Sequence, residues 1–248
     1  MISPLNIIAV IPARYASTRF PYKLMKPLGN KTVIRHTHDN AIATGLFKEV
    51  WVVTDSQLIY DEIASVGGKV MMSKQEHESG SDRIAEAIAD MNVDIVVNVQ
   101  GDEPFIDEKS LALLINAFDD ASVQVASIMK PFNDLSLVHN PNYVKVVVDK
   151  NNNSLLFSRS PIPFLRDGIA LVPFYEHIGV YAFRKQALLQ FTQWSPTPLE
   201  LAEKIECLRY LENGIQLRMV ITEHEGVKID VPEDLEKAER YLEIWNNK

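Results

Sequence analysis

"NIIAVIPARYASTRFPYK", residues 6–23, begins as a run of β-branched and apolar residues and then turns abruptly basic. The run lacks polar alternation, so residues 7–12 read as a strand buried on both faces, as in a parallel sheet. The pairing of such a run with an amphipathic segment recurs along the chain. "TVIRHTHDNAIATGL" follows the first strand, "VWVVTD" precedes "QLIYDEIASVG", and "DIVVNVQ" precedes "KSLALLINAF". Apolar strands interleaved with helical patterns predict an α/β fold, a mainly parallel sheet flanked by helices.

After about residue 122 the rhythm changes. "VQVASIMK", "YVKVVVD", "SLLFS" and "EHIGVYAFRK" follow one another with little helix between them, as strands of mixed direction would. Helical signal returns in "TPLELAEKIECLRYLENG", residues 197–214, and in "VPEDLEKAERYLEIW", residues 231–245, whose first turn holds Pro232 and several acids. The chain shows no internal repeat or low-complexity tract. The expectation is one domain over residues 1–248, with residues 122–215 including a substrate or dimerisation lobe.

The 248 residues, 46% of them hydrophobic, suffice for a substantial core. A formal charge of -8 excludes a protein that coats nucleic acid or an anionic membrane, so any basic cluster is a local site. One cysteine, Cys207, excludes an internal disulfide framework. No basic leader precedes an apolar stretch, and no apolar segment approaches the roughly 20 residues that span a bilayer. A soluble, cytoplasmic protein is expected.

Ligands of open α/β sheets bind beyond the carboxyl ends of the strands, and three such ends carry unusual chemistry. "PARYASTRFPYK" offers Arg14, Arg19 and Lys23 with Ser17 and Thr18, while Ala13 and Ala16 allow backbone N–H groups close approach. That composition suits a polyphosphate and also fits a solvated basic turn. Neither a P-loop nor a G-x-G dinucleotide fingerprint occurs. "VNVQGDEPFI", residues 97–106, runs a buried strand into Asp102 and Glu103, oxygen donors for a hard ion such as Mg²⁺ or simply an acidic turn. "GVKIDVPEDLE", residues 226–236, ends an apolar run on Asp230, a second metal carboxylate or the cap of the helix begun by Pro232. His77 reads as a solvated loop histidine, and the remaining histidines lack zinc spacing.

Eight ordered motifs, "IPARYASTRFPYK", "SGSDRIAEA", "NVQGDEP", "NPNYVKVVVD", "FSRSPIPF", "HIGVYAFR", "PLELAEKIECLRYLENG" and "IDVPEDLE", resemble those of the 3-deoxy-manno-octulosonate cytidylyltransferases. The resemblance runs from about residue 6 to residue 245. It implies a nucleotide-diphospho-sugar transferase-like fold and a homodimer. It also implies a reaction in which the anomeric hydroxyl of the sugar acid Kdo attacks the α-phosphate of CTP with Mg²⁺ present. By matching position it makes Ala13, Arg14, Lys23, Ser79, Ser81, Arg83 and Gln100 nucleotide ligands, and Asp102 and Asp230 metal ligands. Arg159, His177, Tyr181 and Glu206 become sugar-acid contacts, and Arg14, Lys23, Asp102 and Asp230 the catalytic set.

Four positions depart from the family pattern. Tyr22 stands where a glycine is common before the motif lysine, Cys207 where a glutamine follows the motif glutamate, Ser81-Asp82 for Thr-Glu and Val231 for threonine. These departures leave room for an 8-amino analogue of Kdo or another ulosonic acid. Rival readings are a sialic-acid-type cytidylyltransferase, a glycosyltransferase of similar fold, which the lack of a D-x-D motif disfavours, and a nucleotide-binding protein without turnover.

Overall fold

The computed structural model describes residues 5–16, 19–77, 79–166 and 173–245. It divides into two compact units, residues 1–111 with 225–248 and residues 112–224. In chain order the first unit supplies β1 (Ile7–Ala13), the short pair β2 (Pro27–Leu28) and β3 (Lys31–Thr32), α1 (Val33–Ala43), β4 (Glu49–Thr54), α2 (Gln57–Ala64), β5 (Lys69–Met72), α3 (Gly80–Ile88) and β6 (Ile95–Asn98). The chain crosses to the second unit along α4 (Glu108–Asn116). There it forms β7 (Val125–Pro131), β8 (Lys145–Val148), β9 (Ser154–Ser158), β10 (Tyr175–Arg184), α5 (Lys185–Phe191), α6 (Pro198–Glu203), α7 (Leu208–Glu212) and β11 (Arg218–Ile221). It returns for α8 (Pro232–Trp245).

Within the first unit β1 pairs in parallel with β4 on one side and β6 on the other, and β4 with β5. The order is therefore β6-β1-β4-β5: the chain steps outward from β1 through β4 and β5, then returns to β1's other edge with β6. The loops leaving β1 and β6 diverge at that reversal, which opens a crevice at their carboxyl ends. Val10, Ile11, Val52, Ile95 and Val97 are wholly buried, so the apolar centres of β1, β4 and β6 lie in the core, whereas β5 leaves Lys69 and Met72 exposed.

The second unit is mixed. β10 runs antiparallel to β7 and β8, β8 antiparallel to β9, and β11 parallel to β7. The pairing of β10 with β7 slips between Ile178 and Tyr181. Such a bulge re-aims side chains, and Gly179 within it removes the usual penalty for irregular backbone.

The expected single helix over residues 197–214 is two. α6 ends at Lys204, whose φ of 54° is left-handed, and α7 starts only at Leu208. Leu201 is 51% exposed while Ile205 and Leu208 are buried, so the three do not form one stripe. The break is held by Arg209, whose guanidinium donates to both Glu200 oxygens at 2.7 and 2.5 Å. A capping box between Thr197 and Glu200 starts α6 as the sequence requires.

α1 supports the crevice from below. Its Thr37 hydroxyl donates to the Gly101 carbonyl at 2.9 Å, and its solvent edge is organised by Asp39, which accepts from Arg35 Nε at 2.7 Å, Lys31 Nζ at 2.8 Å and His38 Nδ1 at 3.0 Å. Burial pulls the Asp39 carboxyl upward, but these donors outweigh it and lower it from 3.8 to about 2. A depressed carboxyl contributes stability above its unfolded value and loses it as pH falls through the folded one. Asp39→Asn is therefore expected to cost about 1–2 kcal/mol at pH 7. The deficit relative to the parent should shrink as pH drops from 3.8 towards 2. Urea denaturation at both ends of that window checks this, and a deficit independent of pH would refute it.

Candidate active site

At the reversal of strand order one ammonium joins two carboxylates. Lys23 Nζ bonds Asp102 Oδ2 and lies 3.0 Å from Asp230 Oδ1. The Lys23 and Asp102 side chains are 13% exposed, so their attraction escapes most of the screening that weakens surface pairs. Arg19 adds a contact to Asp230 at 3.2 Å, and Lys228 lies 3.8 Å from Glu103. Burial raises the Asp230 carboxyl, yet Lys228, Lys23 and Arg19 together hold it below its ordinary range. Asp102, then Glu103 and Asp230, hold the Lys228 ammonium above the usual lysine range.

Each acid is fixed through its backbone. The Asp102 carbonyl accepts from Ile229 N–H at 3.0 Å, and Asn40 of α1 donates to the Pro104 carbonyl. Gly101 precedes Asp102 because a Cβ there would meet Leu24, Ile34 and the Pro12 carbonyl, each at 3.3 Å. Asp230 is not the helix cap: Asp234 accepts from the Asp230 and Val231 N–H groups at 3.1 and 3.2 Å. With Asp234 closing the turn ahead of α8, the Asp230 carboxylate faces Lys23 and Arg19.

The loop after β1 is braced from beneath. Arg83 of α3, 4% exposed, reaches Asp55 Oδ2 at 2.7 Å and the Ala13 carbonyl at 3.4 Å, while Asp55 Oδ1 accepts from Tyr15 N–H at 3.1 Å. Arg83 thus holds the loop in position. Arg14 is exposed and bonds nothing among the described residues. Tyr22 adopts φ 62° and ψ 22°, a left-handed conformation that costs a non-glycine residue about 1–2 kcal/mol. Its ring packs on Tyr15 at a centroid distance of 4.4 Å, a contact worth about 0.5–1.5 kcal/mol. That position explains why a glycine suits the family pattern there. Ser17 and Thr18 lie outside the described residues.

Ser79 caps α3, accepting from Asp82 N–H at 3.1 Å and donating to its carboxylate at 2.7 Å. Ser81 is buried, and Gln100 donates to Asn98 Oδ1 at 3.4 Å. His77 is not solvated: its ring is 5% exposed and sits 2.6 Å from Glu86 Oε2. Glu86 also accepts from Lys74 N–H, so one carboxylate ties Lys74 and His77 to α3.

The remaining expected ligands lie in the second unit. Arg159 donates from Nε to the Glu203 carbonyl at 2.7 Å, from Nη1 to Pro141 at 2.7 Å and from Nη2 to Lys204 at 3.3 Å. Each terminal nitrogen has one further N–H beyond those bonds. Lys145, fully buried, donates to the carbonyls of Asn140 at 3.2 Å, Tyr143 at 2.7 Å and Arg159. His177 meets Ser127 Oγ at 2.9 Å and the Tyr181 ring edge-on at 5.4 Å. The Ser127 hydroxyl donates to the Val180 carbonyl at 2.8 Å, which leaves it to accept from His177 Nε2–H. Tyr181 in turn bonds the Cys207 thiol, which burial pushes far above its ordinary range, and Glu206 precedes that thiol at intermediate burial.

Asp55, Lys145, Glu86 and Lys228 were absent from the expectations. All four lay inside stretches quoted above, Asp55 at the end of "VWVVTD" and Lys228 within "GVKIDVPEDLE", but a pattern does not say which of its residues form ion pairs or braces. Among the described residues no cluster of three or more histidine, cysteine or carboxylate side chains stands ready for a metal. The pair Asp102 and Asp230 nevertheless fits a hard divalent ion that takes few protein oxygens, since one cation already bridges both carboxylates.

Residues 8–240 match the cytidylyltransferase family. The chain is 56% identical over 241 residues to the 3-deoxy-manno-octulosonate cytidylyltransferase of Flavobacterium johnsoniae, covering 96% of this chain and 99% of the relative. It is 55% identical over 240 residues to that of Christiangramia forsetii, covering 96% and 97%. A solved structure of CMP:2-keto-3-deoxy-manno-octonic acid synthetase complexed with CTP superposes with a TM-score of 0.91 at 34% identity, covering 96% and 98%. The 4-diphosphocytidyl-2C-methyl-D-erythritol synthase of Anaerococcus prevotii shares the fold at a TM-score of 0.64 and 19% identity, covering 96% and 98%.

Lys145→Met should leave several carbonyls without their donor and lower the thermal midpoint by at least about 4 °C. An unchanged midpoint by calorimetry would mean that Lys145 does not brace the Arg159 backbone.

Proposed function

Because the chain belongs to the 3-deoxy-manno-octulosonate cytidylyltransferase family, we propose that it joins CTP to Kdo and releases pyrophosphate. The observation that carries the reading is the Lys23 ammonium held between Asp102 and Asp230 at the strand-order reversal. Exposed Arg14 stands in the same loop. Cations and an acid pair at one crevice suit a triphosphate and its counter-ion.

In-line phosphoryl transfer depends on positioning and on neutralising charge. The anomeric hydroxyl of Kdo forms the new bond to the α-phosphorus and loses its proton to solvent, as the bond from that phosphorus to the α,β-bridging oxygen breaks and pyrophosphate leaves. Arg14 supplies a guanidinium fork and Lys23 a point charge to the phosphates. Asp102 and Asp230 would hold Mg²⁺, which when bound offsets phosphate charge and lowers the barrier to departure of pyrophosphate. Arg83 and Ser79 keep the loops that face the nucleotide in place, with Ala13, Ser81 and Gln100 beside them.

For Kdo, Arg159 would receive the carboxylate on its remaining N–H groups, and His177, Tyr181 and Glu206 would contact hydroxyls. We further infer a cytoplasmic homodimer that supplies activated Kdo for lipopolysaccharide. No helix among the described residues is long and apolar enough to cross a membrane.

Asp102→Asn and Asp230→Asn are each expected to cut the rate of CMP-Kdo formation by about 100-fold or more, with circular dichroism unchanged. A variant that kept near-normal turnover would remove that carboxylate from the site. Arg159→Ala should act mainly on the Kdo KM. If only the CTP KM moved, the assignment of Arg159 to the sugar would fail.

A further inference from the structure

Two tyrosines in the loop after β1 have no role in the reading above. Tyr15 directly follows Arg14 and Tyr22 directly precedes Lys23, so the contact of their rings, tilted by 35°, ties together the two backbone positions that carry the phosphate-facing cations. Tyr22 is 49% exposed, so burial in a core does not account for its ring. Nor does backbone preference, because φ 62° favours glycine over tyrosine. A bulky residue in an unfavourable conformation at a loop requires a compensating contact, and Tyr15 provides it.

Both ends of the pair are anchored. Tyr15 N–H is held by Asp55 Oδ1 at 3.1 Å, and Asp55 by the buried Arg83, which also bonds the Ala13 carbonyl. The Tyr22 carbonyl accepts from Met25 N–H at 3.0 Å, opening the single helical turn Lys23–Met25. The Tyr22 conformation thereby sets the direction in which Lys23 leaves the chain towards Asp102 and Asp230.

We propose that Tyr15 and Tyr22 form a clamp that presets the phosphate loop, with Tyr22 a positioning residue that fixes Lys23 before nucleotide arrives. This rests on the assignment of that loop to CTP. A glycine at position 22 would adopt the same φ without strain but would lose the ring contact, so the Lys23 backbone would sample more conformations and have to be ordered on binding.

The test compares Tyr22→Gly, Tyr22→Phe and Tyr15→Ala in the full chain. Tyr22→Gly and Tyr15→Ala should each raise the CTP KM about three- to tenfold, with kcat within about twofold. Tyr22→Phe, which keeps the ring face, should stay within about twofold of the parent. Hydrogen exchange at the Tyr15 and Lys23 amides, measured without nucleotide, should quicken in Tyr22→Gly and not in Tyr22→Phe. An unchanged CTP KM together with unchanged exchange in Tyr22→Gly would overturn the clamp. If the parent protein itself formed no product from CTP and Kdo, the functional reading would fail, and the exchange comparison alone would decide the clamp.

Discussion

The Lys23 ammonium between Asp102 and Asp230 is the constraint around which the first unit is organised. The carboxylates come from loops separated by more than half the chain, and two like charges do not sit together in a partly buried crevice without a cation. The order β6-β1-β4-β5 brings the ends of β1 and β6 side by side. Gly101 lets the β6 loop press against Pro12, Leu24 and Ile34, and the Ile229–Asp102 backbone bond draws the Asp230 segment alongside. Asp234 completes the arrangement by taking over the turn before α8, which leaves Asp230 for charge rather than capping.

The same constraint suits the polyanion and counter-ion proposed for this site. Lys23 satisfies the acids without them, and the acids keep Lys23 fixed at the place where phosphate charge would arrive. Arg14, by contrast, is exposed. Arg83 is the opposite case. It carries the charge of a phosphate ligand, but its burial against Asp55 spends that charge on holding the loop.

Much of this was legible in the sequence. The apolar runs 7–12 and 95–97 announced strands without a solvent face, and the acids and cations that follow them marked the crevice. What stayed hidden was partnership. Asp55 and Arg83 are separated by α2, β5 and the start of α3, and nothing in their spacing signals an ion pair. His77 resembled a loop histidine because Glu86, which buries it, lies on the next helix. The break at Lys204 was concealed because Leu201, Ile205 and Leu208 satisfy helical spacing, whereas the Glu200–Arg209 pair that stabilises two shorter helices satisfies it less obviously. In the second unit the motifs named Arg159 and His177 but not Lys145, whose long apolar stem and fully bonded ammonium let it sit within a strand pattern that reads as simply apolar.

The central claim is that this crevice transfers a cytidylyl group to Kdo, and pyrophosphate release tests it most directly. The assay would offer Mg²⁺ with each of the four common ribonucleoside triphosphates, with and without Kdo. The account predicts release only when CTP and Kdo are present together. Equal release with another triphosphate, release that ignores Kdo, or none from any combination would contradict it.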